Sequence, residues 1–250
     1  MLKRAFDIAL AFAGLVLLSP LLIAVAVLIK LDSVGPVLFC QRRVGRGLRC
    51  FTLYKFRTMI PAHGGGEITV ADDRRVTRLG CLLRLAKLDE LPQLWNILTG
   101  DMSFVGPRPL VESTINRFRD EYEWILAESR PGVTDPASIK YRHESALLGA
   151  CAEPVDYYFR VIMPDKIRLQ KAYLRRQSVL GDVIILCQTL AACCRLDEAP
   201  AGEKDFAAAE SMRTHAVRVA PQTIEESTLP EFPVYFSERA ESRSWEMDAR

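Results

Sequence analysis

Apolar positions dominate the first thirty residues of the chain. No charged side chain occurs among residues 8–29. A helix of about 22 residues is about 33 Å long, since each residue adds about 1.5 Å, and the apolar core of a bilayer is about 30 Å thick. Ser19-Pro20 lies near the middle of this run. Because proline lacks the backbone donor and clashes with the preceding turn, this pair predicts a kink or break in the helix.

Basic residues flank the apolar run on both sides, with Lys3 and Arg4 before it and Lys30 after it. Because basic residues favour the cytoplasmic side of a membrane, this pattern favours a helix that enters the membrane, bends at Ser19-Pro20 and returns to the same face. An ordinary kinked span and a cleaved signal peptide are the alternatives. The apolar run continues to Ile29, beyond the small residues at 24–26 that resemble a cleavage site, which argues against the signal peptide.

The rest of the pattern predicts short elements. Apolar runs at 37–39 and 50–54 flank a basic turn and predict a small hairpin. Helices are expected at 75–88 and from Leu91-Pro92 to just before Gly100, because proline favours the first helical position and glycine favours the end. A polar amphipathic helix at 112–129 and a basic helix at 165–176 follow. The apolar helix at 178–194 is either buried in the core or interfacial.

These elements predict an α+β fold that is mainly helical. We expect a monotopic membrane protein with an N-terminal re-entrant helix-break-helix, a small β-hairpin and interfacial amphipathic helices. Residues 1–32 form the membrane helix, residues 33–195 a cytosolic or interfacial domain, and residues 196–250 an acidic tail that is partly disordered. The tail is set apart by its Ala, Glu, Ser and Pro content and by its loss of periodicity.

Charge is distributed unevenly along the chain. Residues 196–250 contain 12 acidic and 6 basic residues, and because the whole chain carries +2, residues 1–195 carry +8. A basic body suits an anionic partner such as a phosphate, an anionic lipid or a nucleic acid. The seven cysteines include no C-x-x-C pair, which makes a zinc ribbon unlikely and favours reduced thiols in the cytosol.

The richest candidate chemistry is the adjacent pair Asp89 and Glu90, just before a predicted helix start. A helix N-terminus stabilises an ionised carboxylate and also attracts phosphate. An ionised aspartate can act as a nucleophile or as a Mg²⁺ ligand. The alternative interpretation is that these acids only cap the helix, and spacing alone favours that interpretation.

Basic residues surround this pair in the sequence, namely Lys55, Arg57, Arg84 and Arg108. Guanidinium groups bind phosphate oxygens in pairs, and lysine adds a point charge. Solvation on the surface is the competing interpretation for each of them. Arg108 lies between two prolines, which hold it more rigidly than a typical surface arginine. Asp156, just before Tyr157-Tyr158, has the spacing of an ordinary acid at a helix start.

Several motifs, in order along residues 3–194, together resemble one known family, the bacterial sugar transferases or monotopic phosphoglycosyl transferases. Each motif alone is weak, but their order is specific. The motifs are Lys3-Arg4-Ala5-Phe6-Asp7, Ser19-Pro20, Gly35-Pro36-Val37, Gln41-Arg42-Arg43-Val44-Gly45, Lys55-Phe56-Arg57-Thr58-Met59, Leu88-Asp89-Glu90-Leu91-Pro92-Gln93-Leu94, Val105-Gly106-Pro107-Arg108-Pro109 and Arg130-Pro131-Gly132-Val133-Thr134.

The resemblance implies an enzyme that transfers a sugar-1-phosphate from a UDP-sugar to polyprenyl (undecaprenyl) phosphate and releases UMP. It implies that Asp89 attacks the β-phosphate and forms a covalent phosphosugar intermediate, and that Glu90 assists. Lys55, Arg84 and Arg108 match basic positions of the family and would bind phosphate; Asp156 is a further candidate acid. Mg²⁺ (or Mn²⁺) held by Asp89 and Glu90 would neutralise the diphosphate.

The same resemblance places the protein at the cytosolic face of a bacterial inner membrane, where it would initiate the assembly of a glycan such as an exopolysaccharide. The expected partners are the UDP-sugar donor, the polyprenyl phosphate acceptor, the lipid bilayer and, as an option, a second copy of the chain; no nucleic acid is expected. After Thr134 the sequence departs from many relatives, which affects the choice of sugar. A non-catalytic membrane-anchored scaffold and a two-carboxylate glycoside hydrolase are the rival functions.

Overall fold

A computed structural model describes residues 2–60, 75–127, 129–151 and 153–194. The chain divides into two units, Met1–Gly202 and Glu203–Arg250, and all of the described residues belong to the first. The predicted acidic tail at 196–250 lies outside the described residues.

The described part is mostly helical, with small sheets, as the sequence predicts. Its helices are α1 (Leu2–Asp32), α2 (Arg78–Leu85), α3 (Gln93–Thr99), α4 (Glu112–Arg117), α5 (Arg119–Leu126), α6 (Pro136–Lys140), α7 (Glu144–Gly149), α8 (Pro154–Tyr157), α9 (Met163–Arg175) and α10 (Val179–Cys194). Its strands are β1 (Leu38–Val44), β2 (Cys50–Phe56), β3 (Ser103–Val105) and β4 (Gly132–Thr134).

Helix α1 runs from Leu2 to Asp32 with Pro20 inside it, so of the kink or break expected at Ser19-Pro20, the break does not occur. Proline cannot donate to the carbonyl four residues before it, which is that of Val16. The Ser19 hydroxyl donates to this same carbonyl at 2.8 Å. Ser19 therefore supplies a substitute for the hydrogen bond that Pro20 removes, and the helix continues.

One stripe of α1 packs against the rest of the protein along the whole length of the helix. Asp7, Ala11, Val25 and Ile29 are buried, and the partly buried leucines 15, 18 and 22 lie on the same stripe between them. The other faces expose large apolar side chains, among them Leu17 and Leu31. Among the described residues, α1 is the one helix long and apolar enough to cross a membrane.

Polar contacts hold both ends of α1 to the same body. Near the start, Lys3 forms an ion pair with Asp182 of α10, and Arg4 donates to the carbonyls of Ile97 and Leu98 at 2.6 and 2.9 Å. Near the end, Arg57 donates to the carbonyls of Ser33 and Val34 at 2.6 and 3.0 Å. The helix is thus anchored at its first and last turns.

Strands β1 and β2 form the predicted hairpin, and they are longer than the apolar runs that signalled them. They pair in antiparallel register from Leu38 opposite Phe56 to Val44 opposite Cys50. Helix α3 contacts both β2 and α1. Its apolar face joins Leu94 and Ile97 to Ala11 of α1 and Leu53 of β2 in one core cluster.

Helices α4, α5, α7 and α9 contribute to a second core around Tyr122, Ile125 and Ile162. The short parallel pair β3 and β4 lies beside α10. The predicted helix at 112–129 is two helices, since Phe118 between α4 and α5 has non-helical backbone angles. Apolar positions at helical spacing (115, 118, 122 and 125) continue through both helices, so periodicity alone did not reveal the division.

Candidate active site at the Asp89–Glu90 turn

The turn that carries Asp89 and Glu90 is shaped by local backbone geometry. Helix α2 is capped at its start by the Thr77 side chain and ends at Leu85, earlier than predicted. Lys87 then takes left-handed backbone angles (φ 56°) that are costly for a residue with a Cβ. A single 3₁₀ turn, Leu88–Glu90, follows and leads through Pro92 into α3.

Asp89 is buried, with 7% of its surface exposed. Its Oδ1 atom is enclosed and has no hydrogen-bond partner among the described residues. Burial, and then the neighbouring Glu90 charge, raise the pKa of Asp89, while Lys55, Lys87 and Arg84 act in the opposite direction. A buried carboxylate oxygen without a donor is uncommon in folded proteins and calls for an explanation, such as a catalytic role or a bound ion.

Glu90, in contrast, is committed to an ion pair. Its Oε1 accepts from the Arg108 guanidinium at 2.6 Å, and 10% of the Glu90 side chain is exposed. Burial acts to raise the pKa of Glu90, but the charge and hydrogen bond of Arg108 outweigh it and lower the pKa to about 2. The two adjacent acids therefore have different electrostatic environments.

Lys55 brings a further cation to the pair. It extends from β2, and burial and then the Arg108 charge lower its pKa to about 8, although Glu90 and Asp89 oppose that shift. Arg43 also acts to lower it. Lys55 is therefore charged at neutral pH but close to losing its proton.

Arg108 is held by a stiff loop between β3 and α4. Two glycines permit this loop, because the backbones at Gly106 and Gly132 touch: a Cβ on Gly106 would lie 2.4 Å from the Arg130 carbonyl oxygen. The Gly132 amide donates to the carbonyl of Pro107 at 2.9 Å. This close approach fixes the loop, and with it the guanidinium of Arg108, which is 40% exposed.

The structure brings together most of the site residues that the sequence predicts. The charges of Lys55 and Arg84 act to lower the pKa of Asp89, and Arg108 forms an ion pair with Glu90. Arg84 also donates to the Thr58 hydroxyl at 2.8 Å. Lys87 was not among the predicted residues, although its charge acts to lower the pKa of both carboxyl groups. In the sequence, Lys87 is a lysine two positions before Asp89 and looks like an ordinary surface charge.

Two predicted residues lie in other surroundings within the described part of the chain. Arg57 donates to carbonyls at the end of α1 and is not among the charges that act on Asp89 or Glu90. Asp156 of α8 forms an ion pair with Arg160 at 2.7 Å, and both of these side chains are well exposed.

The carboxylates offer a limited set of ligands for a divalent cation. Among the described residues, no group of three or more His, Cys, Asp or Glu side chains converges on one point. Mg²⁺ is commonly bound by one or two carboxylates together with waters and substrate phosphates. Asp89, with its unpartnered oxygen, and Glu90 fit that form of site, in which a diphosphate supplies further oxygens.

An apolar groove lies between α1, the hairpin and α3. Its volume is about 560 Å³. Every lining residue is apolar or aromatic: Leu15, Leu22, Ile23, Ala26, Val37, Leu38, Tyr54, Phe56, Pro92 and Trp95. Pro92 and Trp95 belong to the segment that begins at the Asp89 turn, and Tyr54 and Phe56 flank Lys55 in β2. The groove therefore adjoins the elements that carry the charged site.

Comparison with known proteins gives consistent matches. The model of the bacterial sugar transferase family matches residues 1–195. The UDP-N-acetylgalactosamine-undecaprenyl-phosphate N-acetylgalactosaminephosphotransferase of Aeromonas hydrophila is 38% identical over 193 residues, which are 76% of this chain and 43% of that protein. The exopolysaccharide production protein ExoY of Sinorhizobium fredii is 35% identical over 209 residues, covering 77% of this chain and 85% of that protein.

A third relative is the UDP-glucose:undecaprenyl-phosphate glucose-1-phosphate transferase of Escherichia coli, which is 37% identical over 195 residues. The match covers 76% of this chain and 39% of that protein. The chain thus spans less than half the length of the Aeromonas and Escherichia relatives.

Proposed function

Because the chain belongs to the bacterial sugar transferase family, whose model matches residues 1–195, we propose that it transfers a sugar phosphate from a UDP-sugar to undecaprenyl phosphate. The observation that carries the proposal is the buried Asp89 carboxylate, which has an oxygen without a described hydrogen-bond donor and lies among basic side chains. The names of the Aeromonas and Escherichia relatives specify undecaprenyl phosphate together with N-acetylgalactosamine and glucose, respectively.

In the first step, a carboxylate oxygen of Asp89 attacks the β-phosphorus of the UDP-sugar. A bond forms between that oxygen and phosphorus, and the bond from phosphorus to the bridging oxygen breaks. UMP leaves with the bridging oxygen and its electron pair. The phosphosugar remains attached to Asp89 as an acyl phosphate, so the difficult transfer is divided into two displacements.

In the second step, a phosphate oxygen of undecaprenyl phosphate attacks the same phosphorus. The bond to Asp89 breaks, the carboxylate is restored, and the product is a lipid-linked diphosphate sugar. No proton needs to be removed from the attacking groups when both are ionised. Asp89 therefore acts as a nucleophile and then as a leaving group, and Glu90 does not need to exchange a proton.

The surrounding cations hold and neutralise the phosphates. The positive charges of Lys55 and Arg84 act to lower the pKa of Asp89. The ion pair with Glu90 holds the Arg108 guanidinium in place. Charged donors aimed at the developing charge of a phosphoryl transfer lower its barrier. Mg²⁺ held by Asp89 and Glu90, together with the diphosphate, would neutralise further negative charge.

The apolar groove supports a lipid acceptor. A ligand that occupies this groove must be a hydrocarbon, because the lining offers it no polar side chain apart from the hydroxyl of Tyr54. The neighbouring charged site suits a phosphate head group. An isoprenoid chain that ends in a phosphate has both of these properties, and the groove would direct its head toward the Asp89 turn.

The packing of α1 supports attachment to a single membrane face. A straight span would place its two ends on opposite sides of the bilayer, but both ends of α1 are held by the same domain. One stripe of the helix is packed and its other faces are apolar and exposed. These features favour a re-entrant helix, whose two ends we place on the cytosolic side of the inner membrane. The name of the Sinorhizobium relative, an exopolysaccharide production protein, supports a role in initiating exopolysaccharide or a related glycan.

The nucleophile is tested by Asp89→Asn. The purified wild-type protein, with undecaprenyl phosphate and Mg²⁺, should release UMP from at least one donor in a panel of UDP-glucose, UDP-galactose and UDP-N-acetylgalactosamine. The variant should lose at least about 10³-fold in rate, because an amide is a poor nucleophile. A radiolabelled donor without acceptor should leave label on wild-type Asp89, as mapped by mass spectrometry.

The matched control is Asp120→Asn, the same chemical change at an exposed position of α5. This variant should keep the wild-type rate of UMP release. Full turnover by Asp89→Asn, or the absence of any label on Asp89 in an active wild-type protein, would contradict the assignment. An active wild-type protein whose label reaches a different acid would move the nucleophile to that residue.

A further inference from the structure

Asn96 of α3 makes an unusual pair of contacts with the edge of β2. It is fully buried. Its Nδ2 donates to the carbonyl of Thr52 at 2.7 Å, and its Oδ1 accepts from the amide of Tyr54 at 3.1 Å. The other edge of β2 pairs with β1. A single side-chain amide therefore supplies the donor and the acceptor that a neighbouring strand would otherwise supply.

The Asp89 turn is continuous with the helix that carries Asn96. The amide of Leu91 donates to the carbonyl of Leu88 at 3.2 Å, the amide of Leu94 donates to Leu91 at 3.0 Å, and that of Trp95 donates to Pro92 at 3.1 Å. These bonds join the 3₁₀ turn to α3 without a break. A movement of α3 along β2 would therefore carry Asp89 and Glu90 with it.

Lys55 lies on β2, the strand that Asn96 contacts. It directly follows Tyr54, whose amide binds Asn96, and its side chain acts on both Asp89 and Glu90. Asn96 thus joins the strand that carries the lysine to the helix that follows the two acids. The far end of α3 is held separately, by the bonds from Arg4 to the carbonyls of Ile97 and Leu98.

We propose that Asn96 is a positioning residue, which sets the spacing between Lys55 and the Asp89–Glu90 pair by fixing α3 to the edge of β2. This inference rests on the proposed function, in which Lys55 binds the donor diphosphate while Asp89 attacks it. Asn96 has no direct contact with the reacting groups in this account; its effect passes through the two backbone groups of β2.

The test compares Asn96→Asp and Asn96→Ala. The aspartate variant keeps the side-chain volume but places a carboxylate oxygen against the Thr52 carbonyl, and the alanine variant removes both contacts. Single-turnover UMP release without acceptor gives a maximum rate and a half-saturating donor concentration. We expect the maximum rate to fall about 10- to 100-fold in both variants, because small errors in the placement of reacting groups have effects of this size. The half-saturating concentration should change by less than about threefold.

Amide hydrogen exchange of the β2 peptides provides a second measurement that needs no catalysis. Exchange at Tyr54 should accelerate in Asn96→Ala, since its amide loses its acceptor, whereas Asn96→Asp keeps an acceptor oxygen there. The control is Thr99→Ala at an exposed position of α3, which removes the bonds from Thr99 Oγ1 to the Trp95 and Asn96 carbonyls and to Asp101 Oδ2. It leaves the contacts of the Asn96 side chain with β2 in place. This control should leave both the rate and the exchange of Tyr54 unchanged.

The outcomes separate the two proposals. A wild-type protein that releases no UMP from any donor contradicts the proposed function. An active wild-type protein with unchanged rates in both Asn96 variants contradicts the positioning role alone. An equal loss of rate in Thr99→Ala, or a rise in half-saturating concentration with an unchanged maximum rate, also overturns that role.

Discussion

At the scale of single residues, Asp89, Glu90 and Lys55 lie close together but are adapted to different protonation states. Glu90, with a pKa of about 2, stays ionised across the physiological range. The pKa of Asp89 is raised by burial and by Glu90, and that of Lys55 is lowered to about 8. In the proposed reaction, Asp89 must be ionised to attack, and Lys55 must be protonated to bind phosphate.

These shifts predict a bell-shaped pH profile for the UMP-releasing half-reaction. Activity should fall as the pH decreases through the raised pKa of Asp89, because the carboxyl group becomes protonated. It should also fall as the pH rises through about 8, because Lys55 loses its charge. The pH dependence of kcat/KM for the donor reports these groups in the free enzyme.

Lys55→Arg tests the alkaline side of the profile. A guanidinium group stays protonated above pH 12, so the decrease near pH 8 should disappear even if the maximum rate is lower. An unchanged alkaline limb in this variant would show that another group titrates there. Lys171→Arg, on α9, is the matched control and should leave the profile unaltered.

The residue scale is also where sequence reasoning reached its limits. Asp89, Glu90, Lys55 and Arg108 were found because each lies in a recognisable motif. Arg57 lies in the same motif as Lys55, but the chain folds it back onto the carbonyls that end α1. The residues in this contact are 23 or more positions apart in the sequence, so no local sequence pattern predicts it. The role of Lys87 likewise depends on a left-handed backbone turn that lysine seldom adopts.

At the scale of elements, the loop between β3 and α4 depends on two touching glycines. Gly106→Ala would place a methyl group 2.4 Å from the Arg130 carbonyl oxygen, which is backbone and cannot rotate away. We expect a loss of about 1–3 kcal/mol in stability and at least about a tenfold loss of UMP release, because Arg108 would move with the loop.

The control for this loop is Gly14→Ala on α1. The added methyl group meets only the flexible Leu94 side chain, at 3.3 Å, so thermal stability and activity should stay close to those of the wild type. Wild-type melting and activity in Gly106→Ala would show that the loop tolerates the displacement and that its stiffness is not needed to place Arg108.

The second prediction at this scale concerns the membrane topology of α1. All seven cysteines are first replaced, and single cysteines are then introduced at Leu2, at Asp32 and, as a cytosolic reference, at Asp120. An impermeant maleimide should label all three only from the cytosolic side, because both ends of α1 pack on one domain. Labelling of positions 2 and 32 from opposite sides would establish a true span.

The sequence predicted elements well where their ends carry local signals. Helix α3 was recognised from Pro92 at its start and Gly100 at its end, and Gly100 indeed has the positive φ that favours glycine. The continuity of α1 through Pro20 was not foreseen, because it depends on the Ser19 hydroxyl taking over one carbonyl. The division between α4 and α5 has no proline or glycine to mark it.

At the scale of the whole molecule, the first and last described helices are tied together by Lys3 and Asp182. Asp182 is nearly fully buried, and it also accepts from the Tyr173 hydroxyl at 2.6 Å. Lys3 donates in addition to the Val105 carbonyl at 2.9 Å. This cluster connects α1, β3, α9 and α10 at one point.

Breaking the pair should destabilise the entire domain. Lys3→Met leaves the buried Asp182 carboxylate without its cation, which costs about 3 kcal/mol or more. Asp182→Asn should cost a similar amount, and the double variant should lose less than the sum of the two, because the sites are coupled. Thermal unfolding in detergent measures these differences.

Glu123→Gln provides the comparison at the surface. It breaks an exposed ion pair with Arg119, and such pairs contribute no more than about 1 kcal/mol. If Lys3→Met were as mild as this variant, the pair would not be a main tie between the ends of the domain.

The tie between Lys3 and Asp182 also orders events during synthesis. The two residues are 179 positions apart, and a ribosome adding 5–20 residues per second needs roughly 10 to 35 seconds to cover that distance. Throughout this interval Lys3 lacks its ionic partner, although Leu53 and Leu94, which pack on the same helix, are synthesised earlier. The tie is therefore among the last contacts of the domain to form, and a chain that stops short of α10 would lack it.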